Sequence, residues 1–86
     1  MTGIIRFQAL AFDIVEGGLV EGQRIDCESP VLAIQTAQGL WKVFGHAGAV
    51  AISRTSYFGK PESNRRLVLR WFGQVPDEYL KEAIDE

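Results

Sequence analysis

One long stretch of this chain carries apolar residues at helical spacing, and β-type sequence lies on both sides of it. From Ser29 to Gly45 the residues read SPVLAIQTAQGLWKVFG. Serine is a strong N-cap because its side-chain oxygen accepts from a free N–H of the first turn. Proline at the first helical position gives up only an N–H that would be unpaired anyway. Ala33, Ile34, Ala37, Leu40, Trp41 and Phe44 then recur at three- and four-residue steps, with Gln35, Gln38 and Lys42 off that stripe. The spacing predicts a helix over Pro30–Phe44 with one apolar side, ended by Gly45. Gly39 costs about 1 kcal/mol relative to alanine inside a helix, and its missing side chain predicts a close neighbour there.

Two strands are predicted before the helix. In Ile4 to Val15 the odd positions Ile5, Phe7, Ala9 and Ala11 are apolar. The even positions change from polar (Arg6, Gln8) to apolar (Leu10, Phe12, Ile14), which predicts a long strand with a bulge or strong twist near Ala9. Gly17 and Gly18 accept positive φ and predict a tight hairpin turn. Leu19 to Glu28 then sets Arg24, Asp26 and Glu28 against Ile25 and Cys27, a half-buried strand antiparallel to the first.

Two more strands follow the helix. GAVAIS, Gly48 to Ser53, is apolar on both faces and reads as a central strand. Its small Ala49 and Ala51 side lets a helix sit close, and Arg54, Thr55 and Ser56 carry the chain out to water. A loop of TSYFGKPESNR leads to LVLRWF, Leu67 to Phe72, with Leu67, Leu69 and Trp71 on one face and Val68, Arg70 and Phe72 on the other. A short helix closes the chain. Pro76, Asp77 and Glu78 form its first turn, Tyr79, Leu80, Ala83 and Ile84 its apolar side, and it covers an edge or an end of the sheet. The order ββαββα predicts an α+β fold: a four-stranded, mainly antiparallel sheet with the main helix packed on one face.

The 86 residues leave room for one domain, residues 1–86, with a thin core. Apolar residues are spread along the chain, which argues against disorder. No apolar run is long enough to span a bilayer, and Arg6, Gln8 and Asp13 interrupt the apolar N-terminus, so neither a membrane span nor a signal peptide is expected. A soluble, intracellular, cytoplasmic protein is the expectation.

Little in the chain has the pattern of catalysis. Cys27 is the single cysteine and His46 the single histidine, too few for a zinc site; Cys27 reads as a small core residue. His46 follows the helix-ending glycine, where it can cap free carbonyls, and nothing beside it in sequence is an obvious base-orienting partner. Ser53, Thr55 and Ser56 lack nucleophile-elbow spacing, and neither GLVEGQ nor GKPES is a phosphate loop. Glu16 and Glu21 flank the first turn without calcium-loop spacing. No cofactor and no metal are expected.

Charge is distributed more informatively. Arg54, Lys60, Arg65, Arg66 and Arg70 face a single acid, Glu62, so that segment carries net +4 while the rest of the chain carries −6. Tyr57 and Phe58 lie within it. Such a segment can hold an acidic protein surface, including the acidic part of a second copy, or grip nucleic-acid phosphates and stack on bases, or simply keep an edge strand solvated. The acidic total disfavours the nucleic-acid alternative. Trp71 and Phe72 point to opposite faces, and one long and one short helix look insufficient to cover both sides of the sheet. The leftover apolar surface predicts association, most simply as a symmetric dimer.

The segments Ile4 to Ile14, Gly48 to Thr55 (GAVAISRT) and Leu67 to Asp77 (LVLRWFGQVPD) together carry a resemblance. The chain resembles a family of short uncharacterised bacterial proteins that begin on an IIRFQALAFDI-like strand, place a helix before a GAVA-SR strand and end on a VLR-FG-VP stretch. The segment TSYFGKPESNRR departs from the more acidic loop of that pattern. The resemblance implies a bacterial, soluble protein and assigns no activity.

The expectation is therefore a small non-catalytic protein-interaction module, homodimeric, that meets its partner through Arg54, Tyr57, Phe58, Lys60, Arg65, Arg66 and Arg70, with Ser53 alongside. The alternative is a minor nucleic-acid-binding or regulatory protein using the basic 54–70 hairpin. An enzyme with His46 and Arg54 lining its site ranks third.

Overall fold

The structure, a computed structural model, describes residues 3–57 and 65–79. Its elements run β1 (Gly3–Val15), β2 (Gly18–Cys27), α1 (Pro30–Lys42), β3 (Gly48–Tyr57) and β4 (Arg65–Gly73). The four strands form one antiparallel sheet in the order β2-β1-β3-β4. This is the α+β arrangement that the periodicities predict. β1 and β3 are central, and α1 carries the chain across β1 between β2 and β3.

The first turn is tighter than the glycine pair implies. Val15 pairs directly with Gly18, so Glu16 and Gly17 alone make the turn, with φ of 51° and 84°. Positive φ at both central residues matches the right-handed twist of the flanking strands. The register shift in the first hairpin falls between Leu10 and Phe12, and the extra residue sits in β2 rather than near Ala9 in β1. Gly22 lies in this bulge. A Cβ there would meet the Asp13 carboxylate at 3.1 Å, so the glycine makes room for that side chain.

α1 begins as its sequence dictates: the Ser29 hydroxyl accepts from the Leu32 N–H at 3.1 Å, and Pro30 is the first helical residue. It stops at Lys42, short of Phe44. Gly45 turns left-handed at φ 80°, and the His46 N–H closes back on the Leu40 carbonyl. Val43 and Phe44 are therefore left on the surface, and Phe44 does not join the buried stripe. Ala33, Ala37 and Leu40 do, against Ala9, Ala11, Ala49 and Ala51 of the sheet. Trp41 stacks on Phe72 at 5.8 Å. The close approach comes from alanine meeting alanine; a Cβ on Gly39 would have open space around it, contrary to the expectation of a neighbour there.

The face of the sheet away from α1 is not bare. Leu10, Phe12, Val50 and Ile52 are buried in a second cluster with Val68, Val75 and Tyr79, and the Phe12 and Tyr79 rings lie 5.4 Å apart. After β4 the chain folds back through Val75 and starts a helical turn at 77–79, so it covers the centre of a face rather than an edge or an end. The expected roles of Leu80, Ala83 and Ile84 lie outside the described residues. The argument for dimerisation through an uncovered sheet centre falls with this observation. Exposed apolar groups lie elsewhere: Ile4, Ile5, Ile14 and Val15 on β1, Val20 on β2, Val31, Leu32, Trp41, Val43 and Phe44 around α1, and Leu67 and Trp71 on the edge strand β4, Trp71 on the reverse face.

β4 departs from simple alternation. Ala51 faces Arg70 and Ile52 faces Val68, which leaves Leu69 as an extra residue in β4. The bulge turns Leu69 toward the α1 cluster together with Phe72, while Val68 joins the reverse cluster. Leu69 and Trp71 consequently do not share a face, because Trp71 pairs with Val50.

Candidate anion-binding face

The strands reach further into the basic segment than their sequence indicates. β3 runs to Tyr57 and β4 starts at Arg65, so Arg54, Arg65 and Arg66 are paired strand residues, not loop residues. Arg54 faces Arg66 on β4, and it also faces Arg6 on β1. Because directly opposed residues share a face, Arg6, Arg54 and Arg66 form a row across three adjacent strands. The row lies on the reverse face, beyond Gln8 and Ile52. Like charges placed directly opposite one another destabilise a sheet. The row therefore carries a cost unless negative charge meets it.

A concave pocket of about 220 Å³ lies at this end of the face; among the described residues it is lined by Ile4, Arg6, Gln8, Arg24, Arg54 and Ser56, three arginines and no acid. Arg24 is engaged: its Nε and Nη2 donate to Glu21 Oε2 at 3.1 and 2.7 Å on the open surface. Arg66 places its guanidinium 4.3 Å from the Tyr79 ring centre and takes part in further contacts. Among the described residues no carboxylate lies within ion-pair distance of Arg6 or Arg54. Gln8 is 6% exposed and forms the floor. Its Nε2 donates to Asp26 Oδ1 at 2.8 Å, while its Oε1 and the Arg54 Nε are both buried without a hydrogen-bond partner among the described residues. An unsatisfied buried acceptor and an unsatisfied buried donor each cost about 1–3 kcal/mol.

The remaining sequence-predicted residues divide. Arg70 lies on the α1 side, with its guanidinium 5.4 Å from the Phe72 ring, and does not join the row. Ser53 is buried on the α1 side, away from the arginine row. Tyr57 and Arg65 end their strands, one in β3 and one in β4. Phe58 and Lys60 lie outside the described residues. Arg6, Gln8 and Arg24 were not predicted. The polar pair Arg6 and Gln8 on an otherwise apolar strand was the available signal, but only the β1–β3 pairing places it beside Arg54.

His46 has a partner that its sequence neighbourhood does not show. Its Nδ1 lies 2.9 Å from Asp13 Oδ1, tying the end of α1 to β1, while its backbone N–H caps the helix. This pair is at the opposite end of the sheet from the arginine pocket. Cys27 is half-buried against the α1 cluster, with Sγ 3.6 Å from Thr36 Oγ1. A hollow of about 350 Å³ beside it, lined by Ile5, Arg6, Phe7, Asp26, Cys27 and Glu28, sets one arginine against two acids and has no convergent charge.

Among the described residues no helix is long and apolar enough to cross a membrane. Comparison of the chain with protein-family models, curated proteins and solved structures finds no match.

Proposed function

We propose that this chain is a small non-catalytic interaction module whose arginine-bearing reverse face receives an acidic protein partner. The observation that carries the proposal is the opposed pair Arg6 and Arg54, two guanidiniums on neighbouring strands without a carboxylate partner among the described residues. Planar guanidiniums suit carboxylate and phosphate oxygens, and the pairing of β1 with β3 sets these two side by side. A second copy of the chain is one source of acidic surface, since the residues outside 54–70 carry net −6. A continuous nucleic-acid track is less favoured, because Arg70 faces away from Arg54 and Arg66. The His46–Asp13 pair stands apart from the pocket and is assigned a structural tie.

Co-purification from the native cell tests this. A partner retained by the wild-type chain should be lost with the Arg6→Glu, Arg54→Glu double variant and kept by Arg70→Glu. Equal retention by all three chains contradicts the proposal, as does a partner lost only with Arg70→Glu.

A further inference from the structure

We infer that the group received between Arg6 and Arg54 is a phosphoryl monoester on a partner's serine, and not a glutamate or aspartate. The inference rests on the proposal that this face is the binding surface, and specifies its ligand. Three features of the pocket carry it. The first is charge. Arg6 and Arg54 bring two guanidiniums that make no ion pair among the described residues, although Asp26 and Glu28 border the neighbouring hollow on the β2 side of Arg6, and a phosphoserine brings about −1.5 to −2 at neutral pH, where a carboxylate brings a single charge. The second is geometry: Arg6 and Arg54 on adjacent strands, and Ser56 two residues along β3, line one pocket. Three separately placed donors match the three terminal oxygens of a phosphoryl group, whereas a carboxylate has two in one plane.

The third feature is the floor. Among the described residues Gln8 Oε1 is an acceptor without a donor, and Arg54 Nε a donor without an acceptor. An anion alone satisfies only Arg54. A phosphorylated residue within a peptide satisfies both, its phosphoryl oxygen accepting from Arg54 and a backbone N–H donating to Gln8, after rotation of the half-buried Arg54 side chain opens the floor. Asp26, the acid opposite Gln8, is engaged by Gln8 Nε2 and stands on the β2 side. The cavity of about 220 Å³ admits a phosphorylated side chain with its flanking amides, and not a long segment. Recognition of this kind, an arginine cluster meeting a phosphorylated motif, is physically well founded.

Calorimetric titration of the full chain tests the inference, using a short glycine–alanine peptide bearing one phosphoserine. The comparison probes are the same peptide with serine, the same peptide with glutamate, inorganic phosphate and a random single-stranded oligonucleotide. The phosphopeptide should bind at least about tenfold more tightly than the glutamate peptide and than inorganic phosphate, and Arg6→Gln or Arg54→Gln should each weaken it roughly tenfold. Gln8→Leu should bring phosphopeptide affinity toward that of inorganic phosphate, and Arg70→Gln should leave it unchanged. Far-ultraviolet circular dichroism of each variant separates lost binding from lost folding. Equal binding of glutamate and phosphoserine peptides overturns the phosphoryl assignment and leaves the acidic-partner proposal standing. Binding of the oligonucleotide ahead of the phosphopeptide overturns both, as does the absence of binding by any acidic probe.

Discussion

The two faces of the sheet are built on opposite principles, and the same two strands build both. Along β1 the residues run Ala9, Leu10, Ala11, Phe12; along β3 they run Ala49, Val50, Ala51, Ile52. Successive strand residues point to opposite sides, so every alanine faces α1 and every large side chain faces the returning chain at Val75 and Tyr79. Under α1, small residues let the helix lie close, and stability comes from proximity. On the reverse side few covering residues are available, and the sheet's own large side chains supply the volume. Small-versus-large alternation in a central strand thus says which face takes a helix, although both faces are apolar.

Substitutions that shrink or enlarge each face separate the two principles. Phe12→Ala should have the largest effect, a loss of about 3–5 kcal/mol in chemical denaturation, because it empties the reverse cluster beside Tyr79. A loss under 1 kcal/mol would mean that the returning chain does not seal this face. Ala51→Val adds volume under α1 and should cost roughly 1–3 kcal/mol by overpacking, whereas a neutral or stabilising outcome would show the helix to be loosely seated. Ile52→Val, the residue next along the chain but on the other face, should cost only about 0.5–1.5 kcal/mol; if it costs more than Ala51→Val, the order proposed for the two faces is wrong. Gly39→Ala should stabilise by up to about 1 kcal/mol, since the added Cβ meets open space. Destabilisation there would place an unseen neighbour against the helix.

Much of this architecture was legible in the sequence because it is local. The Ser29–Pro30 start, the Ala33–Ala37–Leu40 stripe and the alternation of β2 depend on neighbours within a few residues. The errors share a cause. Leu69 and Trp71 look like one face until a bulge intervenes, and a bulge depends on pairing with β3 rather than on β4 alone. Helix lengths alone leave the reverse face uncovered, because the path of Val75 and Tyr79 across it depends on tertiary packing. The site was half legible. Arg54 and Arg66 stand out in the sequence as charges in a basic segment, Arg54 at a strand end and Arg66 at the end of a loop, whereas Arg6 carries no such signal. Its importance comes from lying opposite Arg54 across a pairing of residues far apart in sequence.

The central claim is that one end of the reverse face, bearing Arg6, Gln8, Arg54 and Ser56, is where the chain meets negative charge. Amide chemical shifts followed during titration with the phosphoserine peptide test it residue by residue. The account predicts that the amides of Arg6, Gln8, Arg54 and Ser56 move together and saturate, while those of Ala33, Ala37 and Arg70 stay still. Movement centred on α1 or on Arg70, or no movement at saturating peptide, would contradict it.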